Sequence, residues 1–315
     1  MKLIKKCEVC GNKNIQFLFK QPDKNLDINE EFSLFKCNKC NALFPNPQLT
    51  SKELEKYYPR DKYYSLKKIY SKEESKKTNL NLFLYKLYFD SKSKNVIMKL
   101  LLSPIKFIVR GTNICKDKKI LDIGSGSGQF LYEMKELGMD VYGVEPGEFD
   151  KESKNKYKLN IKNSNLINAK YPKEFFDIIT INHVLEHLDD PNKNIKEVYR
   201  ILKKGGKFII GIPNSNSLAY KLFGKNWHQL DIPRHLWNYS NKNIKILLER
   251  NGFKIKKIRY NSRPNQFVVS LYFSIGIKNR EGKLNRILEV IFLPLTWFVN
   301  CLRMGDQIEV WCEKR

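Results

Sequence analysis

Three groups of residues in this chain have the types and spacing that chemistry needs. The first is two matched pairs, Cys7-x-x-Cys10 and Cys37-x-x-Cys40. Two intervening residues let both thiolates of a pair turn toward one metal, and two such turns complete a tetrahedral four-thiolate shell of the zinc type. Four thiolates leave no open position, so this Zn2+ would be structural. The second group is Lys119-Ile-Leu-Asp-Ile-Gly-Ser-Gly-Ser-Gly-Gln-Phe-Leu131, an apolar run that meets Gly124, Gly126 and Gly128 before a helix begins. Glycines at a strand-to-helix turn let the backbone approach a ligand closely, because no Cβ intervenes. Asp140-Val-Tyr-Gly-Val-Glu145 follows, its acid 17 residues after Gly128, where a carboxylate ending a second strand accepts both ribose hydroxyls. A nicotinamide enzyme would show the same two features.

The third group lies in Gly224-Lys-Asn-Trp-His-Gln-Leu-Asp-Ile-Pro-Arg-His-Leu-Trp-Asn-Tyr239, which holds two of the chain's four histidines. This composition suits a wall for a hydroxylated or anionic acceptor. Trp227 and Tyr239 would offer aromatic faces, and Arg234 a guanidinium that grips an anion bidentately. His235 or His228 would be a base poised near neutral pH, with Asp231 beside them. A packed loop with satisfied side chains is the competing reading.

These groups need elements to position them. Asn14–Lys20 and Phe32–Lys36 alternate like the strands of a hairpin between the cysteine pairs. A Pro-stiffened exit, Phe44-Pro-Asn-Pro, leads to a helix capped at Thr50 or Ser51. An aromatic cluster at Tyr57, Tyr58, Tyr63 and Tyr64 precedes a Lys-rich linker over 65–79 and a helical stretch over 80–109. From Lys116 onward, short apolar strands alternate with amphipathic helices, the pattern of a doubly wound parallel sheet. Strands are expected at Phe175–Ile181 and Lys207–Ile212, with Asn182-His-Val-Leu-Glu-His187 after the first and a helix opening at Pro191 between them. Two insertions stand where ligands bind such sheets, over 213–240 and 262–305; Gln307–Glu313 returns as the last strand. The apolar helix of the second, around Leu284–Leu302, would cover the site, form a dimer face or rest on a membrane as a peripheral contact. Cys115, Cys301 and Cys312 have no partners in spacing and read as core thiols.

The 315 residues carry a formal net charge of +25, which points toward nucleic acid or anionic membranes. The excess rests on 47 Lys against 11 Arg, alongside 31 Asn, a bias that an AT-rich coding sequence imposes without functional demand. No apolar h-region follows Met1, and the expected setting is cytoplasmic.

With "LDIGSGSGQFL", "VYGVEP", "FDIITINHVLEHLDDP", "EVYRILKKGGKFIIGIPN" and "LLERNGFKI" in this order, the region from about 118 to 260 resembles the class I S-adenosylmethionine-dependent methyltransferases. The resemblance implies an α/β, doubly wound, Rossmann-like sheet of seven strands. It implies that Asp122, Gly124, Ser125, Gly126 and Gly128 line the methionine and ribose part of S-adenosyl-L-methionine. Glu145 would take the ribose hydroxyls, and Asn182 and His183 would sit beside the sulfonium. The adenine contact, usually an acid in that family, would fall to Asn165 or Leu166. Residues 1–65 look like zinc-binding modules fused to bacterial methyltransferases of nucleotide sugars and surface polysaccharides. The expected organisation is a zinc-ribbon-like module over 1–48, a helical linker or lid over 49–115, and a methyltransferase domain over 116–315. A small-molecule acceptor, a nucleotide sugar or glycan precursor, is the leading expectation. An RNA methyltransferase using the basic surface is the alternative; its Lys residues are dispersed, and no Asn-Pro-Pro-Tyr-type motif follows the fourth strand. A non-catalytic binding module would be expected to have lost the glycine turn or Glu145, and both are intact.

Overall fold

The computed structural model describes residues 1–26, 28–58, 79–87, 110, 116–147, 157–277 and 282–315. Most of the expected 49–115 linker, including the Lys-rich stretch up to 78, Tyr63, Tyr64, the apolar run over 96–109 and Cys115, lies outside the described residues; 79–87 is helical.

β1 (Ile15–Asp23), β2 (Ile28–Cys37) and β3 (Leu43–Pro45) form an antiparallel sheet in that order. The hairpin runs longer than expected, from Ile15 opposite Cys37 to Asp23 opposite Ile28. Asp23 closes it, its Oδ1 accepting the amides of Asn25 (2.9 Å) and Leu26 (3.1 Å), as a short polar side chain does at a turn. The helix α1 (Ser51–Leu54) starts at the expected Thr50, whose hydroxyl accepts the Glu53 amide while Glu53 reaches back to the Thr50 amide.

The second sheet comprises β4 (Lys119–Ile123), β5 (Asp140–Val144), β6 (Asn160–Lys162), β7 (Phe176–Asn182), β8 (Leu202–Pro213), β9 (Phe253–Tyr260) and β10 (Gln307–Lys314), ordered β6-β5-β4-β7-β8-β10-β9. The first five in that order pair in parallel, and β10 is antiparallel to both its neighbours. Ile120, Leu121, Ile178, Ile179, Phe208 and Ile210 are buried, as the near-continuous apolar runs of a two-face-covered parallel sheet require. β8 begins five residues before the expected Lys207, because Phe176 pairs with Leu202 and a bulge absorbs the residues before Lys207.

The helices are α2 (Gln129–Glu136), α3 (Pro191–Ile201), α4 (Leu218–Phe223), α5 (Asn243–Arg250), α6 (Asn265–Ile275) and α7 (Lys283–Cys301). Strand order reverses between β4 and β7, so the crevice outside their carboxyl ends is where this architecture holds a ligand. The cysteine-bearing sheet packs on the same side. Phe44 lies against Trp237 (5.0 Å between centroids), Leu43 bridges Asn238, and Gln48 Nε2 donates to the Leu236 carbonyl at 2.8 Å. Of the cysteines read as core thiols, Cys312 is buried, but Cys301 is exposed on α7, whose buried face is carried by Thr296, Val299 and Asn300.

Candidate active site

The glycine turn follows β4 directly. Gly124 has φ +69°, and a Cβ built there would stand 2.3 Å from Val184 Cγ2, so only glycine passes beneath the segment after β7. The amides of Gly124 and Ser125 donate to the Val144 carbonyl (2.8 and 3.2 Å), pinning the turn to the end of β5. That brings Glu145 to it: its carboxylate accepts the Gly126 amide at 2.9 Å and the Gly147 amide at 3.1 Å. Ser125 Oγ is buried with no hydrogen-bond partner among the described residues. A glycine cradle, an orphaned hydroxyl and a half-buried carboxylate held by backbone amides make a set that fits a ribose-bearing ligand.

Asp122 has another part. It is 2% exposed, receives both Nη atoms of Arg110 (2.5 and 3.2 Å), and accepts Thr180 Oγ1 at 2.6 Å. Its carboxylate ties β4 to Thr180 of β7 and to Arg110, so both oxygens are taken internally, a correction to its expected cofactor contact. Asn165 and Leu166 follow β6 in the segment expected to meet an adenine. Asn165 Oδ1 accepts the Asn168 amide at 2.8 Å, and Leu166 is buried.

β7 ends at Asn182, whose Oδ1 lies over Gly211. His183 takes φ +53°, an uncommon conformation for a side-chain-bearing residue, while its amide donates to the Gly211 carbonyl at 2.8 Å. This reversal turns the chain back over the strand ends. His183 Nδ1 then stands 3.3 Å from Oε1 of Glu186, which is 1% exposed. Burial alone would raise the Glu186 carboxyl, but the neighbouring His183, followed by the rings of His187 and His235, holds it below its usual range.

Glu186, His187 and His235 bring a carboxylate oxygen and two ring nitrogens within 4.8 Å of one another. The two rings meet edge to face at 4.7 Å. His235 Nδ1 lies 2.8 Å from the Gln229 carbonyl, and His187 Nδ1 lies 3.0 Å from the Arg234 carbonyl and 2.9 Å from the Tyr58 hydroxyl. A carbonyl only accepts, so each Nδ1 carries the proton and each Nε2 keeps its lone pair. Burial, and then the neighbouring His235, push His187 down to about 4, so its ring is neutral at pH 7. These donors suit proton transfer or a metal ion. Sequence reasoning singles out neither Glu186 nor His187 as a site residue; the signal is the His-x-x-Glu-His spacing itself, which puts both side chains in the turn after β7.

The loop over 213–240 departs most from expectation. Arg234 is 3% exposed. Its Nη1 and Nη2 donate to the two oxygens of Asp23 (2.6 and 2.8 Å), and Nη2 and Nε to Asp231 (2.5 and 3.1 Å). The guanidinium expected to grip a substrate anion is satisfied by two internal carboxylates. Burial would raise Asp231, yet the charge and hydrogen bonds of Arg234, with the Asn25 side-chain amide, hold it well below the usual carboxylate range. Trp227 and Tyr239, expected to face substrate, are each 1% exposed and belong to the core; Trp227 Nε1 donates to Asp306 Oδ2 at 3.2 Å. His228 belongs to a different set from His235, its Nδ1 4.0 Å from Asp306 Oδ2 and its amide donating to Ser270 Oγ at 3.2 Å. Burial pushes the Asp306 carboxyl up to about 7.

The four cysteines meet as their spacing predicts, Cys7 Sγ 3.7 Å from Cys40 Sγ and Cys10 Sγ 3.5 Å from Cys37 Sγ, all within 4.8 Å. Each pair sits in the same turn. The Cys7 and Cys37 amides donate to Asn12 and Ala42, their carbonyls accept from Gly11 and Asn41, and those two residues take φ +77° and +60°. Four thiolates about 2.3 Å from one Zn2+ stand about 3.8 Å apart, which this set matches. Without an ion the thiols share their protons unequally: the Cys40 hydrogen bond, against burial, lowers Cys7, and the same contact together with burial raises Cys40.

A family model described as a methyltransferase domain matches residues 98–258, just over half of the chain. The chain belongs to the methyltransferase-domain family. Among curated proteins, a tRNA U34 carboxymethyltransferase of Helicobacter acinonychis is 34% identical over 123 residues, covering 34% of this chain and 45% of that protein. A ubiquinone biosynthesis O-methyltransferase of Pseudomonas entomophila is 31% identical over 116 residues, covering 33% and 48%. The chain thus spans about half the length of these relatives. Among solved structures, a SAM-dependent methyltransferase from Archaeoglobus fulgidus covers 73% of this chain and all of its own, at 22% identity and a TM-score of 0.45. The glycine turn, Glu145 and the turn after β7 all lie inside the methyltransferase-domain match; the four cysteines lie outside it.

Proposed function

We propose that this protein transfers a methyl group from S-adenosyl-L-methionine to a hydroxylated small molecule, a nucleotide sugar or glycan precursor of a surface polysaccharide. The observation that carries this is the meeting, at the reversal between β4 and β7, of the glycine turn and Glu145 with the half-buried His183 and His187 and the buried Glu186 and His235. When bound, the cofactor supplies an electrophilic methyl on a sulfonium, which leaves as the thioether once the acceptor oxygen attacks in line. Gly124, Ser125, Gly126 and Gly128 would hold its methionine and ribose portion, with Glu145 turned to the ribose hydroxyls and Asn182 and His183 beside the sulfonium. His235 Nε2, its lone pair set by the Gln229 carbonyl, would take the acceptor's proton; Asp231 Oδ2, 3.7 Å away, stabilises the imidazolium that results.

Residues 1–48 would form a zinc module, with Cys7, Cys10, Cys37 and Cys40 holding one structural ion whose binding energy is folding energy. Elemental analysis of protein purified without added metal should return one zinc per chain, and reduced, folded protein with none rules the module out.

The functional test uses cofactor with an isotopically labelled methyl group. Offered a panel of nucleotide sugars and, separately, bulk tRNA, the protein should move label to a sugar; transfer to RNA alone would replace the acceptor class, a reading that the net charge of +25 favours. Transfer to neither, with no cofactor binding by calorimetry, would remove the enzyme reading.

A further inference from the structure

The insertion between β9 and β10 carries the largest unpartnered apolar surface among the described residues. On α7, Leu284, Ile287, Ile291, Leu295, Phe298 and Leu302 recur every three or four residues, so they share one face. They are 38–63% exposed, and Trp297 beside them is 54% exposed. Within α7 only Thr296, Val299 and Asn300 are buried, all in its last two turns. Those turns are clamped to the sheet. Asn300 accepts the Ser262 amide (3.1 Å) and donates to its carbonyl (3.0 Å), and Gly305 passes so close that a Cβ there would stand 2.3 Å from Asn300 Oδ1. The rest of the helix leans on α6 through Phe292, stacked on Phe267 at 5.5 Å, and turns its other side outward.

The charges around this face are one-sided. Lys283 and Arg286 at the start of α7 and Arg303 just past its end are exposed. The single acid of the helix, Glu289, is half-buried and accepts Asn285 Nδ2 at 2.9 Å. An apolar face rimmed by cations complements one kind of partner, a surface with an anionic edge and an apolar interior.

α7 is 19 residues long, enough at 1.5 Å per residue to approach the thickness of a bilayer core. The topology forbids a crossing. Tyr260 at the end of β9 pairs with Ile308 at the start of β10, so the insertion leaves and returns at one point of the sheet edge. A helix that crossed once would need a return of equal length, and α6, at 11 residues, is too short. We propose that α7 is a monotopic anchor that lies along the surface of an anionic bilayer, with its apolar face among the acyl chains and Lys283, Arg286 and Arg303 at the phosphates. Ser270 of α6 receives the His228 amide, so the layer that docks also supports the loop after β8. An acceptor carried on a lipid would reach the crevice from that side; this last step rests on the methyltransferase reading, whereas the anchor does not.

The experiment is sedimentation of the full chain with vesicles of phosphatidylglycerol and phosphatidylcholine, and with phosphatidylcholine alone. Binding should require the anionic lipid and fall at least tenfold in the paired variant Ile287→Glu/Ile291→Glu. Arg286→Gln should lower it about fivefold, as one cation near an anionic surface is expected to. Brominated lipid should quench tryptophan emission in the parent and much less in Trp297→Phe. Cofactor affinity, read by calorimetry, should be the same in all variants, which separates failure of the anchor from failure of the enzyme reading. The proposal is overturned if anionic vesicles do not bind the protein, or if the paired variant binds them as the parent does. It is equally overturned if the parent is a dimer that the paired variant splits and vesicles never sediment with it.

Discussion

The two walls of the crevice are built in opposite ways. On the side proposed for the cofactor, the groups are backbone and near-backbone: Gly124, Ser125 and Gly126, and a Glu145 carboxylate whose two partners are amides within twenty residues of it. On the side proposed for the acceptor, the loop after β8 has its charges matched by side chains far away in sequence, above all Asp23, which donates nothing of its own but receives Arg234 across 211 positions. Short-range spacing therefore describes the first wall well. It describes the second poorly, because what a side chain in a loop can do depends on who else reaches it.

The largest effect should come from Arg234. Replacing it with alanine leaves Asp23, 1% exposed, without its partner, and breaking a buried pair costs about 3–5 kcal/mol. Denaturant unfolding should show that loss; normal stability with lost activity would mean that Arg234 serves the acceptor after all, and the contrast between the walls would collapse. On the cofactor side, Gly124→Ala puts a methyl 2.3 Å from Val184 in a left-handed backbone, a strain of about 1–3 kcal/mol before the Val184 clash is added. Calorimetry should find cofactor affinity down more than tenfold. Glu145→Ala should lower the same affinity by about 1.5–3 kcal/mol, roughly tenfold or more, in a chain that still folds; unchanged affinity would remove Glu145 from the site.

The smallest effect sharpens the comparison through pH. His187 is held near 4, against 6.5 for a free ring, so the unfolded chain takes up a proton first as pH falls and stability drops between about 6.5 and 4. Asp306 is held near 7 against 3.8, so it acts the other way and lowers stability as pH rises from about 4 to 7. The two oppose each other across most of that window. The difference between wild type and His187→Gln should therefore grow toward acid and reach about 1–2 kcal/mol by about pH 5–5.5, which a single wild-type curve hides. A flat difference would mean that the ring is not buried in solution.

These contrasts explain what is legible in the chain alone. The strand-turn-helix at Gly124, the acid ending β5, the hairpin between the cysteine pairs and the Thr50 cap are local features, fixed by residues within a few positions of one another. Strand order follows once the alternation of strands and helices is seen. The roles of Trp227, Arg234 and Tyr239 are misread from sequence because a dense run of charged and aromatic side chains looks like a site whether they face a ligand or each other. Only the arrival of Asp23 and Asp306 from the two ends of the chain decides that. Glu186 is overlooked for the converse reason, being one acid in a short turn whose importance comes from two histidines, one of them 49 positions on.

The Asp23–Arg234 pair has a consequence for how this protein can be rebuilt. Asp23 closes the hairpin of the cysteine-bearing sheet through Oδ1 and, with both oxygens of the same carboxylate, fixes the loop after β8. A chimera that takes residues 1–48 from one such protein and the remainder from another would join two halves of a lock cut for different keys, unless both supply this carboxylate and this guanidinium. The N-terminal sheet is thus no detachable accessory. It and the loop after β8 can only be exchanged together.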